Sequence, residues 1–227
     1  MNSDLSTELS ILQSHMDGMI DRVQHNAQAL RKLQIFELKL LNLDTLSEII
    51  GHIFEDATEL FDLDAISICL LDIKGEYAEY LSDDSNIVGS MPELFFLDNT
   101  DLLNLTFGMS IRPFIGPYKK SRCTKFFTHV DIKPASVAII HLHRRGRFLG
   151  ALSLGSMNPR RFAGNMATNF IEHMATIVSV CLENNLNFES LKRTSLVDTL
   201  TGVNNRRFLE QRLGDIRRQL LCPVGVN

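Results

Sequence analysis

Two histidines, His141 and His143, stand two residues apart in the run Ser136-Val137-Ala138-Ile139-Ile140-His141-Leu142-His143, which reads as a strand. Side chains at that spacing point to one face of a strand. Two imidazoles on one face could hold a metal or contact an anionic ligand. A metal site needs at least a third ligand, and no carboxylate or cysteine follows at a suitable spacing. We therefore expect no metal here. The plainer reading is a pair of half-buried or exposed histidines beside the basic turn Arg144-Arg145-Gly146-Arg147, with His141 kept as a ligand contact.

A second chemical cluster is basic. Arg112, Lys119, Lys120, Arg122, Lys125 and Lys133 crowd one irregular stretch with Tyr118, Phe126 and Phe127 among them. Such a stretch could wall an anion-recognising pocket, or it could be a solvated surface loop, which we favour. Basic residues interleaved with aromatics also suit single-stranded nucleic acid. The net charge of −4 and the lack of a stacking motif argue against that partner. There is no phosphate-cradling glycine loop and no G-x-S-x-G. No cysteine–histidine pair has a nucleophilic context, so Cys69 reads as a small buried hydrophobe. We expect no catalytic residue.

The elements that would position these groups follow from periodicity. Residues 4–42 lack proline and place Leu5, Leu9, Leu12, Met16, Met19, Val23, Asn26, Leu30 and Leu33 on alternating steps of four and three. That is the seam of a coiled coil, with Asn26 able to fix register. The other possibility is a helix folded back on its own domain. Asp44 or Thr45 should cap a second helix running to about Leu60. Ala65–Asp72 reads as a strand, Lys74-Gly75 as a turn, and Tyr77–Leu81 as a returning strand. Residues 82–134 are irregular, broken by Pro92, Pro113 and Pro117, with a short strand near 111–114. Residues 136–143 and 148–155 form a hairpin. A long helix should run from about Gly164 to Leu196. Phe170, Ile171, Met174, Ile177, Val178, Cys181 and Leu182 give it a broad apolar face, which narrows to a seam at Asn185 and Phe188.

Composition bounds the rest. Four well-separated cysteines without C-x-x-C spacing argue against a disulfide framework and point to a reducing cytoplasm. The N-terminus shows no signal peptide. No apolar run approaches the roughly 18–20 residues that span a bilayer.

This order of elements resembles a GAF domain, a small α/β sensor fold with helices packed on a central antiparallel sheet, over roughly residues 40–185. The segment 149–156, with Arg161-Phe162-Ala163 and residues 166–170 after it, resembles a GAF-related family of unknown function. In GAF domains the sheet face turned away from the main helices commonly carries the ligand pocket. The resemblance thus implies a small-molecule site near Ser67, Cys69, Arg112, Tyr118 and His141.

Further on, Asp198, Leu200, Thr201, Gly202, Asn205, Arg206 and Arg207 resemble the opening of a GGDEF diguanylate cyclase domain, with Phe208 one position earlier than the family's aromatic. That family makes cyclic di-GMP from two GTP, using Mg and a glycine-rich turn. The chain stops at Asn227, before the family's metal-site aspartate and GG[DE]EF turn, so this piece should carry only a structural opening. It should be no enzyme and should need no cofactor of its own.

The expected organisation is an α/β protein. It has an N-terminal coiled-coil helix (1–42), a GAF-like sensor (43–182), a signalling helix (183–197) and a truncated GGDEF opening (198–227). The expected function is a cytoplasmic, homodimeric regulator of the cyclase. The alternative is a docking and dimerisation scaffold that has neither a small-molecule ligand nor cyclase activity.

Overall fold

The structure, a computed structural model, describes residues 2–83, 91–108, 110, 112–130, 133–163 and 168–196. The GGDEF-like opening lies outside them. Two units divide the chain, Met1–Leu182 and Glu183–Asn227.

Helix α1 spans Asn2–Leu40. Its last turns bury Leu33, Phe36 and Leu40, spaced three and four apart, whereas Leu9 through Leu30 of the seam are exposed. The helix packs on its own domain at one end, to which Leu33 belongs, and the seam residues from Leu9 to Leu30 stay exposed.

A buried histidine fastens that end. His52 Nε2 lies 3.0 Å from the Phe36 carbonyl, the His52 ring stacks on Phe36 at 4.6 Å, and Nδ1 meets Asp56. Lys39 from α1 also bonds Asp56. These bonds, that of Lys39 first, hold the Asp56 carboxyl below its usual range.

Thr45 caps α2 (Leu46–Phe54) with a full capping box, its hydroxyl accepting from Glu48 N and Glu48 accepting from Thr45 N. The expected single helix to Leu60 divides at Glu55, and α3 (Asp56–Leu60) follows.

Five strands make one sheet: β1 (Ala65–Leu71), β2 (Leu94–Leu97), β3 (Phe114–Pro117), β4 (Ser136–Arg144) and β5 (Arg147–Ser156), in the order β2-β1-β5-β4-β3. β1 runs parallel to β2, and every other pair is antiparallel. Six successive residues of β1 are buried, so both faces of the sheet are covered.

Two strand expectations need correction. Residues 77–81 are part of a helix, α4 (Glu76–Asp83), not a returning strand. Tyr77 and Leu81 are buried four apart, and the Asp72 carboxylate accepts from Ala78 N near the helix start. The strand reading followed from the turn signal at Lys74-Gly75. The short strand near 111–114 lies at Phe114–Pro117, where an edge position tolerates Pro117.

The stretch read as irregular also contains β2, α5 (Asp101–Phe107) and α6 (Lys120–Cys123). The exit helix is α7, Asn169–Leu196.

The β4–β5 hairpin turns through Arg145 (φ 49°) and Gly146 (φ 76°), the left-handed pair of a two-residue hairpin loop. Beyond it the register shifts. Leu142 pairs with Gly150 and His143 with Phe148, so Leu149 is the extra residue of a bulge. Gly150 has φ 151°, and a Cβ there would lie 1.9 Å from the Cys69 carbonyl oxygen. The three nearest atoms, Cys69 O and C and Leu70 Cα, are all backbone, so none can yield without moving the sheet. Gly150→Ala should lower unfolding free energy by about 3 kcal/mol or more, read by urea denaturation. A loss within about 0.5 kcal/mol would show that β1 and β5 do not approach this closely.

Candidate functional site beneath the insert

Strand alternation sends Ser67 and Cys69 of β1, Val137, Ile139 and His141 of β4, and Ala151 and Ser153 of β5 to one face. Register places them in rows. Ser67 pairs with Ser153 and Ser153 with Ile139, while Cys69 pairs with Ala151 and Ala151 with His141. Leu102, Leu103 and Phe107 of α5, Cys123 of α6, and Phe126 and Phe127 just after it pack against this face as one buried cluster. The insert is therefore a second layer over the sheet. Ser67 Oγ donates to the Phe126 carbonyl, fastening that layer to the strand beneath.

His141 is 4% exposed and lies between two aromatic rings, with Phe107 at 3.4 Å and Phe148 at 5.3 Å between centroids. Its Nε2 is 3.1 Å from the Ser110 carbonyl. A carbonyl only accepts, so Nε2 carries the proton and Nδ1 of the neutral ring is left as an acceptor. Nδ1 is buried and has no hydrogen-bond partner. Burial is the main reason the His141 pKa falls to about 4. The Ser110 carbonyl opposes the fall and the charge of His143 adds to it. Ser153 is fully buried, and its Oγ likewise has no partner. Each orphaned group costs about 1–3 kcal/mol in a folded protein, so the pair marks a place where the fold is not optimised for itself.

The other expected site residues are distributed differently. Ser67 and Cys69 lie on this face, and burial pushes the Cys69 thiol up to about 12, so it stays protonated and non-nucleophilic. Tyr118 is half-buried, packs against the same cluster, and reaches Thr124 Oγ1 at 3.3 Å. Arg112 is exposed, with its backbone N–H on Ser110 Oγ. Lys119, Lys120, Arg122, Lys125 and Lys133 are exposed as well, and Arg122 lies over the Phe114 ring at 4.7 Å. The structure thus places Ser67, Cys69 and His141 at neighbouring positions of one face, whereas Tyr118 lies beside Ala135 at the other end of β4 and the basic side chains stay outside. His143 is exposed where His141 is buried. Among the described residues no group of three or more His, Cys, Asp or Glu could hold a metal, and no helix is long and apolar enough to cross a membrane.

On the seams, Leu9, Leu12, Met16, Met19, Val23, Asn26 and Leu30 of α1 are exposed, as is Phe188 of α7; Asn185 is half-buried and its Oδ1 has no partner. Sequence reading gave no role to His52 or to Ser110. A lone histidine in an apolar helix face and a serine whose backbone is the acting group leave no pattern to find.

The folded-state pKa of His141 lies below that of the unfolded chain, so the unfolded chain takes up the proton first. Stability from this residue is complete above the ordinary histidine value of 6.5 and is lost as pH falls toward about 4. Across that window the folding constant should fall roughly 100-fold on this account, and His141→Phe should remove most of the slope. Urea unfolding at three pH values between about 4.5 and 7 checks this, and an unchanged slope in the variant would refute it.

The family described as "Protein of unknown function, DUF484" matches residues 6–187. No curated protein matches the chain. Among solved structures, the chain is similar to the crystal structure of the GAF domain from Acinetobacter phosphoenolpyruvate-protein phosphotransferase. The identity is 15%, the TM-score is 0.45, and the alignment covers 68% of this chain and 92% of that one.

Proposed function

The chain belongs to the DUF484 family, and from that premise we propose that it is the regulatory sensor and dimerisation part of a signalling protein. In this reading the face beneath the insert takes a small molecule, and α1 and α7 pair with a second copy. The observation that carries the reading is the bare stripe of α1. Leu9, Leu12, Met16, Met19, Val23 and Leu30 are 46–66% exposed at heptad spacing on one helix, whereas Leu33, Phe36 and Leu40 are buried. Burying each such side chain against a partner is worth about 1.5–3 kcal/mol, and an isolated helical arm gains stability chiefly from such packing. Phe188 and Leu191 leave α7 similarly exposed.

The finer reading is that this part controls a C-terminal GGDEF domain making cyclic di-GMP from two GTP with Mg. It is supported by the motif at Asp198, Leu200, Thr201, Gly202, Asn205, Arg206 and Arg207. Pairing of α7 would then set the separation of two cyclase domains, with the chain itself a cytoplasmic regulator and no enzyme. A docking scaffold without a small-molecule ligand draws support from the tie between Ser67 and the Phe126 carbonyl, which closes the insert onto the sheet.

Sedimentation of the 227-residue chain should give a dimer at micromolar concentration. Leu12→Glu combined with Met19→Glu should weaken it at least about 100-fold while leaving the thermal unfolding of the sheet domain in place. A monomeric wild type at tens of micromolar would overturn the dimer reading. For the finer reading, the full parent protein should make cyclic di-GMP from GTP, and Asn185→Leu should fix its output at one level. No product at all would overturn cyclase control.

A further inference from the structure

The dimerisation reading leaves open how two copies of α1 meet, and the residues along that helix decide it. We propose that a second copy of this chain lies parallel and in register on the exposed stripe of α1, with Asn26 opposite Asn26, and that the shared seam continues past Leu30 through Gln34, Leu38 and Leu41. This rests on the reading of the stripe as a dimer seam.

Orientation follows first from Asn26. It is exposed, and it stands on the stripe three residues after Val23 and four before Leu30. In a parallel in-register pair each seam residue faces its own counterpart, so the two amides meet and each can donate to the other. In an antiparallel pair the two classes of seam position face each other instead. The two antiparallel registers that overlap the stripe most fully set Asn26 against Leu9 or against Met16. Its amide would then be buried against an apolar side chain without a partner.

The flanking charges agree. His15 and Arg22 directly precede the seam residues Met16 and Val23. Parallel pairing brings such a position against the residue five further on in the second copy, here Ile20 and Ala27, so no like charge faces either. The same two antiparallel registers set Arg22 against His15 or against Arg22 of the second copy, basic against basic.

The path past Leu30 follows from the grip of the domain itself. Leu33, Phe36 and Leu40 are buried there, so a seam that kept alternating four and three would run into the domain at Leu33. Gln34 is exposed, and Leu38 and Leu41 are 65% and 58% exposed. The Leu41 N–H still donates to the Glu37 carbonyl at 2.9 Å, which keeps it on the helical path. From Asn26 through Leu30, Gln34 and Leu38 every step is of four, and a step of three then reaches Leu41. At about 100° per residue, a step of four turns about 40° onward and a step of three about 60° back. The run of fours therefore carries the stripe away from Leu33, until it stands roughly a third of a turn from the domain-facing residues. Such a stutter locally unwinds the supercoil. One helix thus holds its own domain and a second copy at once.

The test uses the whole 227-residue chain. Asn26→Asp and Asn26→Lys should each weaken the dimer seen in sedimentation at least about tenfold, because like charges then meet. An equimolar mixture of the two should recover at least about tenfold over either alone, a rescue that requires position 26 to face position 26. Leu38→Glu should weaken the dimer at least about tenfold while the sheet domain melts as before.

A mixture no tighter than either variant alone would overturn the parallel register while the dimer stands. Charged variants as dimeric as the wild type would show that the copies meet elsewhere, and would overturn it too. A Leu38→Glu dimer as tight as the wild type would end the seam at Leu30 and overturn its continuation. A monomeric wild type would instead overturn the dimer reading itself and leave the stripe to a different partner.

Discussion

A sheet covered on both faces leaves its polar side chains no water to turn to, and that constraint organises this molecule. β1 is buried along nearly its whole length, so the hydroxyls it and its neighbours carry must be bonded within the protein or remain unsatisfied. Ser67 meets the constraint by reaching across to the Phe126 carbonyl, which fixes the insert over the sheet. Ser156 meets it by donating to Asp64, whose carboxylate also takes the Met157 N–H and is held below its usual range chiefly by that backbone bond. Ser136 reaches the Asn158 carbonyl. Against this background of satisfied hydroxyls, Ser153 and the second nitrogen of His141 stand out.

Much of the frame was legible in the sequence because its determinants are local. The heptads of α1, the cap at Thr45 and the β4–β5 hairpin each depend on residues within a few positions of one another. The misreadings have a common cause. At Tyr77–Leu81 the Lys74-Gly75 turn signal was read as a hairpin, whereas the apolar spacing is helical and the Asp72 carboxylate bonds Ala78 N near the start of α4. β2 was missed because it pairs in parallel with β1, so no tight turn announces it.

The candidate site was half legible for a related reason. Strand alternation put Ser67 and Cys69 on one face of their strand, since side-chain direction is fixed by period, while the expectation that His141 joins them came from the GAF resemblance. The exposed lysines fit the solvated loop favoured for the insert, but Arg112, expected at the ligand site, stays outside with them because its place depends on how the insert packs. Nor could strand alternation show that the Ser110 backbone would choose the tautomer of a histidine thirty-one residues on. Burial and long-range pairing decide such matters, and neither leaves a periodic trace.

The two-part character of α1 has a mechanical consequence. Its last turns are gripped by Leu33, Phe36 and Leu40 and by the contacts of Phe36 with His52, while the seam from Leu9 onward is unclasped. From Leu33 back to Leu9 an α-helix extends roughly 36 Å. For a straight helix held at one end, a tilt of about 5° at the grip moves the far tip by about 3 Å, on the order of half a helical turn. Small repacking around His52 is thereby geared up into displacements large enough to change which side chains meet across a helical interface, and a twist imposed at the tip is delivered, with the same leverage reversed, to the edge of the sheet domain.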